Sequence, residues 1–222
     1  MIKIENTEVF GWNAAIRGMR NPKNSWDKSD SYWTHIENPE TLNTAPFQFF
    51  MGENDLKLAR TLANAGNDHG KFLRMIHVQF DATAPLYWWK EYDTYKVGTV
   101  ADSCSTMHKI HAKEFTLDDF SVEHLREMAI HTFNKVIWML NTYRRYYLES
   151  KEKDYWWQLI QLLPSSYNQR RTLDVNYAVL RAIYHARKNH KLDEWHTFCD
   201  WIRTLPYSEL ITGEEHVCDT AA

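Results

Sequence analysis

The chain has 222 residues, 26 basic and 29 acidic side chains, a net charge of −3 and a mean hydropathy of −0.59. A chain of this length buries roughly 70% of the surface exposed by its unfolded form, so it needs no disulfide or metal staple. Its 44% hydrophobic and 25% charged composition excludes disorder as the main state, its charge balance excludes a whole-protein attraction to nucleic-acid backbones, and no apolar run approaches a membrane span.

Cys104, Cys199 and Cys218 are an odd and sparse set, which fits a reducing compartment and predicts a cytoplasmic protein. The opening Met1-Ile2-Lys3-Ile4-Glu5-Asn6 predicts no secretory leader. Aromatic residues reach 14% of the chain. They fit either a core and subunit interface or a pocket that stacks flat rings.

The first fifty residues show poor periodicity and read as strand, short helix and loops. Leu58, Leu62 and Ala65 share one face of a helix over 55–65, which Gly66 stops. Phe72, Ile76, Val78 and Phe80 predict a half-buried strand over 72–81. Pro85 stands in the first turn of a helix through Leu86, Trp89 and Tyr92, ended or kinked at Gly98. A long helix is predicted from Ser121 to about Ser150, carried by Val122, Leu125, Met128, Phe133, Ile137 and Leu140. Asp154 caps a further helix that ends at Leu163-Pro164, and Asp174 caps another through Ile183. Leu192, Trp195, Phe198 and Ile202 mark a last helix before Pro206. The fold class is α+β, helix-dominated, with a small sheet.

Three clusters could carry chemistry. Ser103-Cys104-Ser105-Thr106 offers hydroxyls and backbone N–H groups to an anion such as phosphate, or forms a capped turn. Cys104, His108 and His111 have spacings that would share a helical face, although no fourth metal ligand stands out and the site reading assigns no metal. Asn168-Gln169-Arg170-Arg171 reads as a basic loop before a helix, whose paired arginines could clamp phosphate. Arg144-Arg145-Tyr146-Tyr147 reads as the polar face of the long helix. Serine-hydrolase, P-loop and dinucleotide fingerprints are absent.

Four stretches together resemble the flavin-dependent thymidylate synthases, the ThyX family. They are residues 13–20 (Asn13-Ala14-Ala15-Ile16-Arg17-Gly18-Met19-Arg20), the run from Leu62 through His69 to Pro85, the segment 93–106, and Leu163-Pro164 followed at family spacing by Asn176, Leu180 and Arg187. The resemblance implies a single ThyX-like domain that assembles as a homotetramer. Residues 1–115 would form a strand and helix part, 116–207 a helical part and 208–222 a tail.

The family signature is Arg-His-Arg, seven residues, then Ser. Here the matching positions are Asp93-Thr94-Tyr95 with Ser103 or, one residue on, Thr94-Tyr95-Lys96 with Cys104, so two or three basic groups are missing. The family's nucleotide-contact Gln falls on Lys90 or Glu91, its next Arg on Ser105 or Thr106, and its base-holding Arg on Ala178. Loss of one placed electrostatic stabiliser typically costs about 10²–10³ in rate.

The resemblance therefore implies a nucleotide-binding protein with a degenerate motif, which binds a nucleotide without making dTMP. The alternative is a divergent flavin-dependent enzyme that methylates or otherwise modifies a pyrimidine nucleotide. The nucleotide-binding set is Lys90, Tyr95, Lys96, Ser103, Cys104, Ser105, Arg170, Arg171 and Asn176. His69 is carried over for the flavin side, with FAD left open as cofactor. The expected partners are a nucleotide and further copies of the chain, with no membrane or nucleic acid. A phage or bacterial origin follows from the family.

Overall fold

The computed structural model describes residues 2–35 and 47–214; Cys218 lies outside them. Strand β1 (Lys3–Phe10) leads into α1 (Trp12–Arg20), and β2 (Tyr32–His35) pairs with β3 (Phe47–Phe50). Helix α2 (Glu53–Asn64), strand β4 (His77–Pro85), helix α3 (Leu86–Tyr92) and strand β5 (Thr99–Ser103) follow. The second half holds α4 (Glu127–Ser150), α5 (Lys153–Leu162), β6 (Asn168–Asn176), α6 (Tyr177–Arg187), α7 (Asp193–Thr204) and α8 (Glu209–Thr212). The main sheet is antiparallel in the order β1-β4-β6-β5.

Alternation explains β4. Val78, Phe80, Ala82 and Ala84 are buried on one face, while Gln79 points out. The strand predicted over 72–81 is displaced, because Gly70–Met75 forms a short 3-10 stretch. Phe72 and Leu73 are both buried there, whereas the predicted half-buried strand would bury only alternate residues. Pro85 ends β4 and caps α3, one residue earlier than its predicted first-turn place.

Asn168–Asn176 is not a loop but a central strand, paired to β4 on one side and β5 on the other. Its inward residues include Gln169 and Arg171, polar side chains that hide the period of two. Asp174 lies within this strand. The cap of α6 is Asn176, whose Oδ1 accepts the Val179 N–H at 3.1 Å. Ser121 does not open the long helix, which begins at Glu127. Its hydroxyl instead donates to Asn168 Oδ1 at 2.9 Å. Residues 104–111 form turns rather than a helix, because Ser105 Oγ accepts the N–H groups of Met107 and His108. The helical face proposed for Cys104, His108 and His111 therefore does not exist. No group of three metal-ligating side chains forms among the described residues.

Aromatic side chains fill much of the core. Trp88, Trp89, Tyr92, Trp195 and Phe198 cluster between the sheet, α3 and α7, with the Trp88 ring 4.8 Å from both Trp89 and Trp195. A smaller core of Ile110, Phe115, Phe120, Leu140 and Leu159 lies under α4 and α5.

A buried ion pair ties α1 to α2. Asp55 is fully buried and accepts Arg20 Nε at 2.5 Å, the Ser29 and Ser31 hydroxyls at 2.7 Å, and the backbone N–H groups of Asp30 and Ser31 at 3.1 Å. Burial alone would raise its pKa. The Ser31, Ser29 and Arg20 hydrogen bonds and the Arg20 charge outweigh burial and hold the carboxyl below its ordinary value. The stabilisation is therefore present above the unfolded-state pKa and is lost as pH falls through the depressed folded value. Asp55→Ala leaves Arg20 buried and unpaired, so chemical denaturation should show a loss of about 3–5 kcal/mol. Asp55→Asn should flatten the acid limb of the stability–pH curve.

Candidate functional site

Strand β6 sends its neighbouring arginines to opposite faces, so the predicted Arg170–Arg171 clamp on one anion does not form. Two cavities result. The first, of about 270 Å³, is lined by Tyr92, Asp93, Tyr95, Lys96, Thr99, Ala101 and Arg171. Arg171 is largely buried there and tightly placed. Its guanidinium carbon lies 4.3 Å from the Trp89 ring centroid, Nε donates to Gln169 Oε1 at 3.1 Å, and the two terminal nitrogens reach Asp93 at 2.7 and 3.5 Å. These bonds leave part of the five-donor fork unengaged.

Two hydroxyls complete this cavity. Tyr92 Oη and Thr99 Oγ1 are buried, lie near each other and have no hydrogen-bond partner. Burial pushes the Tyr92 phenol well above its ordinary pKa despite the Arg171 charge, so the O–H stays available as a donor. Lys96 is exposed at the rim. Gly98 lies behind, at φ +82°, where an added Cβ would come 3.0 Å from Asn176 Nδ2. The position thus needs glycine both for its left-handed backbone and for the close approach of Asn176.

The second cavity, of about 310 Å³, is lined by Cys104, Ser105, Thr106, Lys113, Gln169 and Arg170 among others. Arg170 is tied to Asp81 at 2.7 Å. Asp81 also accepts from Thr172 and Asn6, and those hydrogen bonds together with Arg170 hold its carboxyl well below the usual range. Gln169 links the two cavities. Its Nε2 donates to the Cys104 carbonyl at 2.8 Å while its Oε1 accepts from Arg171.

The predicted residues are thus divided. Tyr95, Lys96 and Arg171 line one cavity, and Cys104, Ser105 and Arg170 the other. Ser103 ends β5 opposite Arg171 and lines neither. Asn176 serves as a helix cap, Lys90 is exposed on α3, and His69 is exposed beside the 3-10 stretch at Gly70–Met75. Glu91, one of the two positions matching the family's glutamine, is already engaged. Arg187 donates to it at 2.9 Å and Trp195 Nε1 at 3.1 Å, with His190 Nε2 at 3.3 Å.

Sequence reasoning missed Trp89, Tyr92 and Thr99. The helical spacing of Trp89 and Tyr92 marks them as inward-facing. Only the pairing of β5 with β6 shows that Thr99 and Arg171 border the same space. Tyr92→Phe removes an unpaired buried hydroxyl and keeps the ring. Thermal denaturation of the ligand-free variant should show a rise in stability of about 1 kcal/mol, up to the 1–3 kcal/mol cost of such a group.

No family model matches the chain, and no curated protein matches it in sequence. Solved structures do match. A Helicobacter pylori flavin-dependent thymidylate synthase ThyX, complexed with FAD and dUMP, aligns with a TM-score of 0.66 at 14% identity over 95% of this chain and 98% of that one. A second structure of H. pylori ThyX with FAD and dUMP aligns with a TM-score of 0.66 at 13% identity over 96% and 98%. From end to end of its described residues, this chain has the fold of the flavin-dependent thymidylate synthases.

Proposed function

We propose that the protein binds a nucleotide in the space between α3, β5 and β6, and that it does so without making dTMP. The observation that carries this reading is the Arg171 cavity. A guanidinium held against Trp89 and Asp93 borders two unpaired buried hydroxyls and the exposed ammonium of Lys96. A preorganised cation with free donors suits a phosphate or a uracil carbonyl. Cys104, Ser105 and Arg170 would serve the same ligand from the second cavity, coupled through Gln169. Lys90, Ser103, Asn176 and His69 lie outside both cavities and would contribute only where a second copy brings the ligand to them.

The loss of thymidylate synthesis is supported by what fills the signature positions. Thr94 donates its hydroxyl to the Glu91 carbonyl, and Tyr95 Oη accepts from Arg187. Neither supplies a cation to a reacting ring. The cavity of about 270 Å³ within one chain is small for a dinucleotide such as FAD. Flavin chemistry would require a cleft completed by another copy. The second reading, a flavin-dependent enzyme acting on a pyrimidine nucleotide, is favoured by the FAD and dUMP bound in the structures that share the fold.

A thermal-shift panel with dUMP, UMP and FAD separates these readings. Nucleotide binding should raise the melting temperature as ligand exceeds Kd, and Arg171→Gln should remove most of that shift. A yellow protein that turns dUMP into dTMP would replace the first reading by the second. No shift with any nucleotide would end both.

We also infer self-association through α4 and α5, in line with a homotetramer. Met128 is 83% exposed and Trp138 68% exposed, and Met139, Trp157 and Leu162 are also exposed large apolar side chains on these helices. Such apolar exposure marks an interface. No described helix is long and apolar enough to cross a membrane, and we place the protein in the cytoplasm of a bacterium or a phage-infected cell. Light scattering should give the mass of an oligomer, and Met128→Glu with Trp138→Glu should reduce it to that of a smaller species.

A further inference from the structure

A third cleft, of about 300 Å³, lies between the β5–α4 connection and the corner where α4 meets α5. Its walls carry His108, His111, Lys151 and Lys153, with Tyr147 and Trp156 as the aromatic surfaces, and no carboxylate lines it. We propose that this cleft binds the phosphate groups of a small phosphorylated ligand, with Lys151 and Lys153 as its cations and the His108 and His111 rings as N–H donors. The site is separate from the Arg171 cavity and does not depend on the nucleotide reading given above.

The two ammonium groups and the two imidazoles share a cleft with no carboxylate in its lining, since Glu152 and Asp154 flank the lysines in the chain but line no part of it. The two lysines lie over aromatic rings, Lys151 Nζ at 5.8 Å from the Tyr147 centroid and Lys153 Nζ at 5.6 Å from that of Trp157. Neither has a carboxylate partner among the described residues. Burial and the positive charges of Lys151, Lys109 and Arg144 all push the His111 pKa down. An incoming anion would relieve that repulsion. His111 Nδ1 is buried and has no hydrogen-bond partner, while the ring packs edge-on to Tyr147 at 4.9 Å.

The frame is rigid. Trp156 Nε1 donates to the Met107 carbonyl at 3.1 Å, which fixes one wall to the other. Arg144 holds the loop through the His111 carbonyl at 3.0 Å. Lys151 ends α4 in the left-handed conformation at φ 60°, where its N–H donates to the Tyr147 carbonyl at 2.9 Å. Glycine is the favoured residue at such a helix end. A lysine held there at a conformational cost places an ammonium at the cleft, which is the pattern of strain retained at a binding site.

That strain supplies a test in which structure and binding move in opposite directions. Calorimetric titration of the full-length chain with inorganic pyrophosphate, at low ionic strength, should show saturable binding. Lys151→Gly should raise the melting temperature of the ligand-free protein and weaken pyrophosphate at least tenfold. Lys153→Gln should weaken it without the stabilisation, and Lys57→Gln, on the exposed face of α2, should leave it unchanged. Titration with ATP identifies the source of the phosphate. Tighter binding than pyrophosphate, with the excess lost in Trp156→Leu, assigns a nucleotide, whereas equal affinity assigns the inorganic anion. Absence of binding at millimolar pyrophosphate, full affinity in Lys151→Gly, or an equal loss in Lys57→Gln would each overturn the proposal.

Discussion

The position of β6 between β4 and β5 is the constraint on which the site depends. Its register sets Arg171 opposite Ser103 on one neighbour and Ala82 on the other. Strand geometry then turns Gln169 and Arg171 to the helix-covered side and Arg170 to the other. A slip of one residue would exchange these faces, remove Arg171 from Trp89 and Asp93, and bury Arg170 without Asp81. The hydrogen bond from Trp89 Nε1 to the Gln169 carbonyl, at 2.9 Å, locks α3 to the same strand.

Charge pairing decides which residues remain open to a ligand. Glu91 is held by Arg187 and Trp195, and Arg170 gives one terminal nitrogen to Asp81 while its other donors stay open. Arg171 is held by Asp93 but keeps donors unengaged. The hydroxyls of Tyr92 and Thr99 sit beside it, whereas the buried carboxylate of Asp55 is fully satisfied. Tyr92 Oη and Thr99 Oγ1 share this cavity with the unengaged donors of Arg171, so its polar groups point to one space.

Much of the fold was legible because apolar spacing reports helices well. The α2 helix with its stop at Gly66, the start of α3 after Pro85, the end of α5 at Leu163-Pro164 and the α7 helix were each visible as a stripe or a breaker. The failures share a cause. In β6 the inward face opens with Gln169 and Arg171, so an apolar alternation shows only at Leu173 and Val175, too short a stretch to mark the strand. At Ser121 an apolar run continued the helical period, although its hydroxyl was recruited by Asn168 across the chain. At residues 104–111, Ser105 turned the backbone locally, where helical spacing alone suggested a shared face.

The amino-acid order determined the α+β class, the helix-rich second half and the aromatic supply for the core. These are local properties, fixed by the nature and spacing of neighbouring side chains. Tertiary structure alone decided that Arg171 meets Asp93 and Trp89, that Arg170 and Arg171 part company, and that lysines beyond α4 face histidines from a loop some forty residues earlier. Such encounters depend on strand register and helix packing between segments far apart in the chain, and no local period encodes them.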